Sequence, residues 1–205
     1  MKKMLAFFGA FNPPTLAHLE LAHFALDKTG REGVLFVPSK SVYIRNEQGK
    51  DFAFSDAERL SMLRSAAGER PWMQVTDWEI KQPYQPRTYE TLCHLRDEGI
   101  DAALLLGSDK LPELEKGWRS IKEIAQERGI VCLSRGGDDC RAMIDDDPFL
   151  SSLSPYILVL ETPAQFQSVS STAVRRRLAA MQELKDELSA MVPKEICALL
   201  MGKFR

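Results

Sequence analysis

Short runs of consecutive apolar residues recur along the whole chain, each followed by an amphipathic stretch, and this rhythm constrains the fold more than any other feature. It is the signature of repeated β-α units around a mainly parallel sheet. The runs at 3–9, 33–38, 72–80, 102–107, 130–134 and 156–161 predict strands, and the stretches 16–28, 56–67, 88–98, 119–128, 172–186 and 194–203 predict helices. Ser55 and Glu58 have the spacing of a capping box, and Gly99 and Gly129 stand where helices end. The polar region 38–54 reads as a mobile loop, and 136–153, with Asp138, Asp139 and Asp145 to Asp147, reads as an irregular acidic surface. No repeat, low-complexity tract or boundary divides the 205 residues, so one domain is expected over 1–205.

Hydrophobic residues make up 44% of the sequence and charged residues 27%, as in ordinary globular chains. A net charge of -2 argues against bulk affinity for nucleic acid or acidic membranes while allowing a local basic pocket. No stretch approaches the roughly 20 apolar residues of a membrane span, and prolines close the apolar N-terminal run early. The expected compartment is the cytoplasm. Cys93, Cys132, Cys140 and Cys197 form no metal-ligand spacing with the three histidines, and the expectation is free thiols, mostly buried, with no protein-built metal site.

In an open α/β sheet, ligands bind at the carboxyl ends of the strands where the strand order reverses. The first strand–helix junction reads Gly9-Ala10-Phe11-Asn12-Pro13-Pro14-Thr15-Leu16-Ala17-His18. Gly9 allows close backbone approach, and the prolines stiffen the turn. Thr15 and His18, three residues apart, share one face of a helix start whose amides and dipole attract anions. Taken alone, a histidine near a helix start is more often structural, and His23 and His94 are read as packing or surface residues. Near the other end, Ser170-Ser171-Thr172 precede Arg175-Arg176-Arg177. These hydroxyls are ordinary caps on their own, but Arg175 is best placed to meet a phosphate at that helix start. Gly107-Ser108-Asp109 mark a third strand–helix junction, where Asp109 could cap the helix or bind a ribose; Trp118 follows.

Together these segments resemble the nucleotidyltransferase superfamily and, within it, the nicotinate/nicotinamide mononucleotide adenylyltransferases. The residues GAFNPPTLAH resemble the first signature, Thr88 with Glu90-Thr91-Leu92 the middle helix start, Gly107-Ser108-Asp109 and Trp118 the ribose loop and its tryptophan. Arg135, the SSTAVR segment at 170–175 and Met191-Val192-Pro193 complete the series. Thr15 stands where many bacterial members carry a second histidine, and Asn12 where they carry aspartate. The resemblance implies a Rossmann-like open sheet with helices on both faces and a C-terminal helical segment.

It further implies transfer of AMP from ATP to nicotinic acid or nicotinamide mononucleotide, with pyrophosphate released. His18, Thr15 and Arg175 would be catalytic. Gly9, Ala10, Phe11, His18, Gly107, Asp109, Ser171, Thr172 and Arg175 would bind ATP, with Mg²⁺ held mainly by its phosphates. Asn12, Thr88, Trp118 and Arg135 would bind the acceptor, and either Lys40 or Lys50 is available to a phosphate. The helix start at Thr88 favours a carboxylate, hence nicotinic acid mononucleotide. Partners are these small molecules, with no nucleic acid and no membrane. Pantetheine-phosphate adenylyltransferases, cytidylyltransferases and catalytically silent nucleotide-binding relatives share the first and last motifs. The phosphate loops of conventional ATPases and dehydrogenases are missing from the sequence.

Overall fold

The apolar runs become one sheet of six parallel strands in the order β3-β2-β1-β4-β5-β6, with β1 spanning Lys2–Gly9, β2 Gly33–Pro38, β3 Met73–Val75, β4 Ile100–Gly107, β5 Ile130–Leu133 and β6 Ile157–Leu160. The computed structural model describes residues 1–46, 54–134, 137–163, 170–179 and 188–203. Helices α1 (Leu16–Thr29), α2 (Ser41–Asn46), α3 (Asp56–Gly68), α4 (Trp78–Lys81), α5 (Thr88–Asp97), α6 (Leu114–Gly117), α7 (Ile121–Arg128), α8 (Cys140–Asp145), α9 (Pro148–Leu153), α10 (Ser171–Ala179) and α11 (Lys194–Lys203) surround the sheet.

Alternate side chains of the central strands feed two cores. Leu5 and Leu105 pack with residues of α1, α3, α10 and α11, whereas Met4, Ala6, Leu104 and Leu106 pack with α5, α7, α8 and α9. A parallel sheet covered on both faces needs strands that are apolar on both sides, which is why the runs are continuous. This is the open α/β architecture expected. Among the described residues, no helix is long and apolar enough to cross a membrane.

Several sequence expectations need correction. The third strand stops at Val75 instead of running to 80. It pairs only with β2, whose last residues after Phe36 are Val37 and Pro38, and a proline has no N–H to extend the ladder. The Thr76 hydroxyl then accepts from Trp78 N at 3.1 Å as α4 begins, and Trp78 stacks on His94 with ring centroids 4.4 Å apart. Within 38–54 the chain forms α2, whose first amide, Ser41 N, donates to Asp56 Oδ1 at 2.7 Å and whose Ile44 is fully buried. Residues 47–53, including Lys50, lie outside the described residues, as does Arg135.

The acidic segment folds into α8 and α9. Asp139 accepts from Ala142 N at 3.0 Å, and Asp147 accepts from Phe149 N at 2.8 Å and Leu150 N at 3.0 Å. These aspartates are N-caps, and the helices they start bury Cys140, Ile144, Leu150 and Leu153. Helix 172–186 is described as far as Ala179. Helix 119–128 begins at Ile121 because Ser120 sits in the left-handed region at φ 57°. Cys93 is half-buried, while Cys132, Cys140 and Cys197 are buried, and all four are free.

Candidate active site at the switch point

The order of the sheet reverses between β1 and β4, so the helices that follow these strands diverge and leave a crevice at their carboxyl ends. A cleft of about 690 Å³ opens there. Gly9, Ala10, Phe11 and His18 line it from the β1–α1 junction, Gly107 and Asp109 from the end of β4. Thr88 at the start of α5, Trp118 after α6 and Ser171 at the start of α10 complete the predicted residues that it gathers.

The β1–α1 loop is held by bonds from distant parts of the chain. Gly9 O accepts from Ser39 N at 3.0 Å, and Ala10 O accepts from Arg59 Nη1 at 2.7 Å. Asn12 Oδ1 accepts from Phe54 N at 2.9 Å, and Asn12 O accepts from Arg175 Nη1 at 2.7 Å. The Ser171 hydroxyl donates to Pro13 O at 2.8 Å. Leu16 N, one of the first amides of α1, donates to Met191 O at 3.0 Å. A Cβ on Gly9 would stand 3.0 Å from the Phe11 ring, so the glycine lets that ring lie across the strand end. Phe11 itself adopts φ 44°, an uncommon conformation for a bulky residue that these tethers sustain.

Thr15 is fully buried and is the N-cap of α1. Its hydroxyl accepts from His18 N at 3.4 Å and lies 2.7 Å from His18 Nδ1, while Thr15 N donates to the same nitrogen at 3.1 Å. A histidine thus takes the place of the usual Glu or Gln in a capping box. Because Nδ1 accepts, Nε2 is the ring nitrogen that carries the proton. Thr15 therefore meets His18 and does not line the cleft.

Arg175 also does not line the cleft; its guanidinium bonds to Asn12 O and, at 3.2 Å, to Thr172 Oγ1. Burial draws its pKa below the ordinary value. Asn12, within the loop, is buried and does not line the cleft, and Thr172 is exposed. Lys40 Nζ is turned to the carbonyls at the end of α4, Ile80 O at 2.7 Å and Gln82 O at 2.5 Å. His23 stacks on Trp72 at 4.9 Å, a packing role as expected. Among the described residues, no three His, Cys, Asp or Glu side chains gather where they could hold a metal ion.

Two residues at the site escape the sequence reading. Arg59 is fully buried and donates to Phe54 O, Ala10 O and Ser39 O while pairing with Asp56 at 2.6 Å. Burial lowers its pKa, and Asp56 partly offsets that. The available signal is an arginine four residues before Leu63 on the apolar face of α3. Glu79 is buried against the cleft, with Oε1 accepting from Thr91 Oγ1 at 2.6 Å and Oε2 from Gln85 Nε2 at 2.5 Å. Burial pushes its carboxyl from an ordinary 4.5 up to about 7. No local pattern marks it.

The chain is similar to known proteins in sequence and in fold. The model of the cytidylyltransferase-like family matches residues 6–177. A Clostridium tetani protein named "Probable nicotinate-nucleotide adenylyltransferase" is 26% identical over 190 residues, covering 91% of this chain and 92% of its own. A protein of the same name from Neisseria meningitidis is 30% identical over 183 residues, covering 88% of this chain and 89% of its own. The solved structure of Plasmodium falciparum nicotinic acid mononucleotide adenylyltransferase complexed with NaAD superposes with a TM-score of 0.77 at 15% identity, covering 99% of this chain and 96% of that one. With its family match running from β1 into α10, the chain belongs to the cytidylyltransferase-like family.

Proposed function

We propose that this chain is a nucleotidyltransferase that moves AMP from ATP onto nicotinic acid mononucleotide, releasing pyrophosphate, as a step of NAD biosynthesis. The observation that carries the reading is that one cleft is lined both by the His18 helix start with Gly107 and Asp109 and by the α5 helix start with Trp118. The curated relatives matched over nearly their full length bear that activity in their names. Residues 1–205 act as one domain, and ATP as the donor suits the cytoplasm.

The nucleophile is a phosphate oxygen of the mononucleotide, attacking the α-phosphorus of ATP while the bond to the β,γ-pyrophosphate breaks. A phosphate monoester with a second pKa of about 6 is already mostly dianionic at neutral pH, so no general base is required. The protein's task is to align two anions and offset charge. His18 donates from Nε2 to the triphosphate, with Thr15 fixing the ring. The start of α10, Ser171 and Thr172, receives the β and γ phosphates, and Arg175 holds that start against the β1–α1 loop through Asn12 O. Gly107 and Asp109 meet the ribose. Trp118 stacks on the pyridine ring, and amides near Thr88 take the ring carboxylate, which favours the acid over the amide.

Mg²⁺ fits a donor set of this kind because it keeps several waters and binds largely through phosphate oxygens, needing few protein ligands. It would supply charge neutralisation to the triphosphate.

The test is pyrophosphate release from ATP and Mg²⁺ with nicotinic acid mononucleotide, nicotinamide mononucleotide, phosphopantetheine or no acceptor. Release that depends on a pyridine mononucleotide is the expected outcome, fastest with the acid. Release with phosphopantetheine alone, or none at all, overturns the reading.

A further inference from the structure

One part of the cleft lining is assembled from segments that share no strand: the turn after β2, α4, the loop ahead of α5 and the first turn of α5. One buried carboxylate joins them. Glu79, on α4, is 2% exposed and uses both oxygens, one on Thr91 of α5 and one on Gln85 of the preceding loop. Gln85 in turn accepts from Lys40 N at 2.8 Å through its Oε1. The Lys40 ammonium then returns to the carbonyls of Ile80 and Gln82, closing the brace on α4. Burying a carboxylate is costly, and an apolar side chain would stabilise a plain helix–helix contact better. Here the carboxylate sits between donors on both sides, and its partners flank Arg87 and Thr88, the residues that open α5 onto the cleft.

We propose that Glu79 is the positioning residue for acceptor recognition: through Gln85 and Thr91 it sets the α5 helix start against the Ser39–Lys40 turn. This rests on the adenylyltransferase reading, and it adds a specificity-supporting role to a residue outside the family motifs quoted above. Pre-organised amides lose less freedom when an anion docks, so the brace should matter to acceptor affinity and little to ATP. Gln at this position can keep both links. Its carbonyl accepts from Gln85, and its amide donates to Thr91 Oγ1, whose hydroxyl already lies 3.4 Å from Arg87 O.

Steady-state kinetics on Glu79→Ala and Glu79→Gln, with hydrogen exchange on both, tests the proposal. Glu79→Ala should raise KM for the mononucleotide about tenfold or more and leave KM for ATP within about twofold, at slightly altered kcat. Glu79→Gln should recover most of that loss. Exchange should quicken at Lys40 N and in residues 88–91 of the alanine variant, with the exchange of β1 and β4 unchanged. An unchanged acceptor KM, or an equal rise in both KM values, overturns the proposal. If the wild-type chain shows no pyridine-dependent pyrophosphate release, the functional reading falls instead, and exchange at Lys40 N that matches wild type would remove the brace as well.

Discussion

Thr15 holds His18 through one ring nitrogen: its amide donates to Nδ1 at 3.1 Å and its hydroxyl stands 2.7 Å from the same nitrogen. The threonine has no exposed surface, while the histidine lines the cleft. One residue thus fixes the tautomer and direction of the other, leaving the ring proton on Nε2.

Replacing His18 by alanine should lower turnover at least about a hundredfold, the effect of losing on the order of 3 kcal/mol of transition-state stabilisation. The fold should survive, since the side chain packs only partly into the core. Turnover measured beside a circular-dichroism melt checks this, and near-normal turnover would remove His18 from the reaction.

Thr15→Val keeps the volume and loses the hydroxyl. It should lower stability by about 1 kcal/mol through the lost N-cap and reduce kcat about tenfold through a loosened His18. Thr15→Ser restores the hydroxyl and should recover both. Urea midpoints and kcat for the two variants distinguish this from a purely structural role, in which serine would restore stability alone.

Arg59 links α3 to Ala10 and Ser39, which both line the cleft. Arg59→Met leaves those carbonyls and Asp56 without their cation, so a loss of about 3–5 kcal/mol in unfolding free energy is expected. Arg59→Lys keeps the charge but not the planar fork, and should fall between the two. Equilibrium unfolding reads the order directly.

Glu79 predicts a pH dependence of stability. Its carboxyl holds its proton up to about 7 in the folded chain but only to about 4.5 when unfolded. Between these values the folded chain binds the extra proton, so stability falls as pH rises from about 4.5 to 7, by at most about 3 kcal/mol from this group. The nearby Glu90 carboxylate pushes in the same direction. Glu79→Gln should flatten that slope, and unfolding at pH 5 and pH 7.5 measures it; an identical slope in both proteins would place the titration elsewhere.

The strands of the central sheet were legible because a parallel strand buried on both faces must be apolar throughout, as Leu104, Leu105 and Leu106 are. The helix boundaries at Ser55, Gly99 and Gly129 were legible because caps act within a few residues. The apolar run 72–80 extends past the end of β3, since that end depends on what its partner strand can donate. The helices α8 and α9 are not legible in the sequence because Asp139 and Asp147 look alike as solvated charge and as caps.

The motif positions around the cleft could be read from the sequence, since each sits where a strand gives way to a helix. Their directions could not. That Arg175 grips Asn12 O across 163 residues, that Arg59 reaches Ala10 O across 49, and that Glu79 closes a brace through Gln85 are contacts between elements that only folding brings together. The sequence by itself determined the β-α alternation and the chemistry present at each junction, because both follow from local pattern. The tertiary structure alone decided which of those groups face the cleft and which hold it in shape, because that depends on the long-range packing of helices against a twisted sheet.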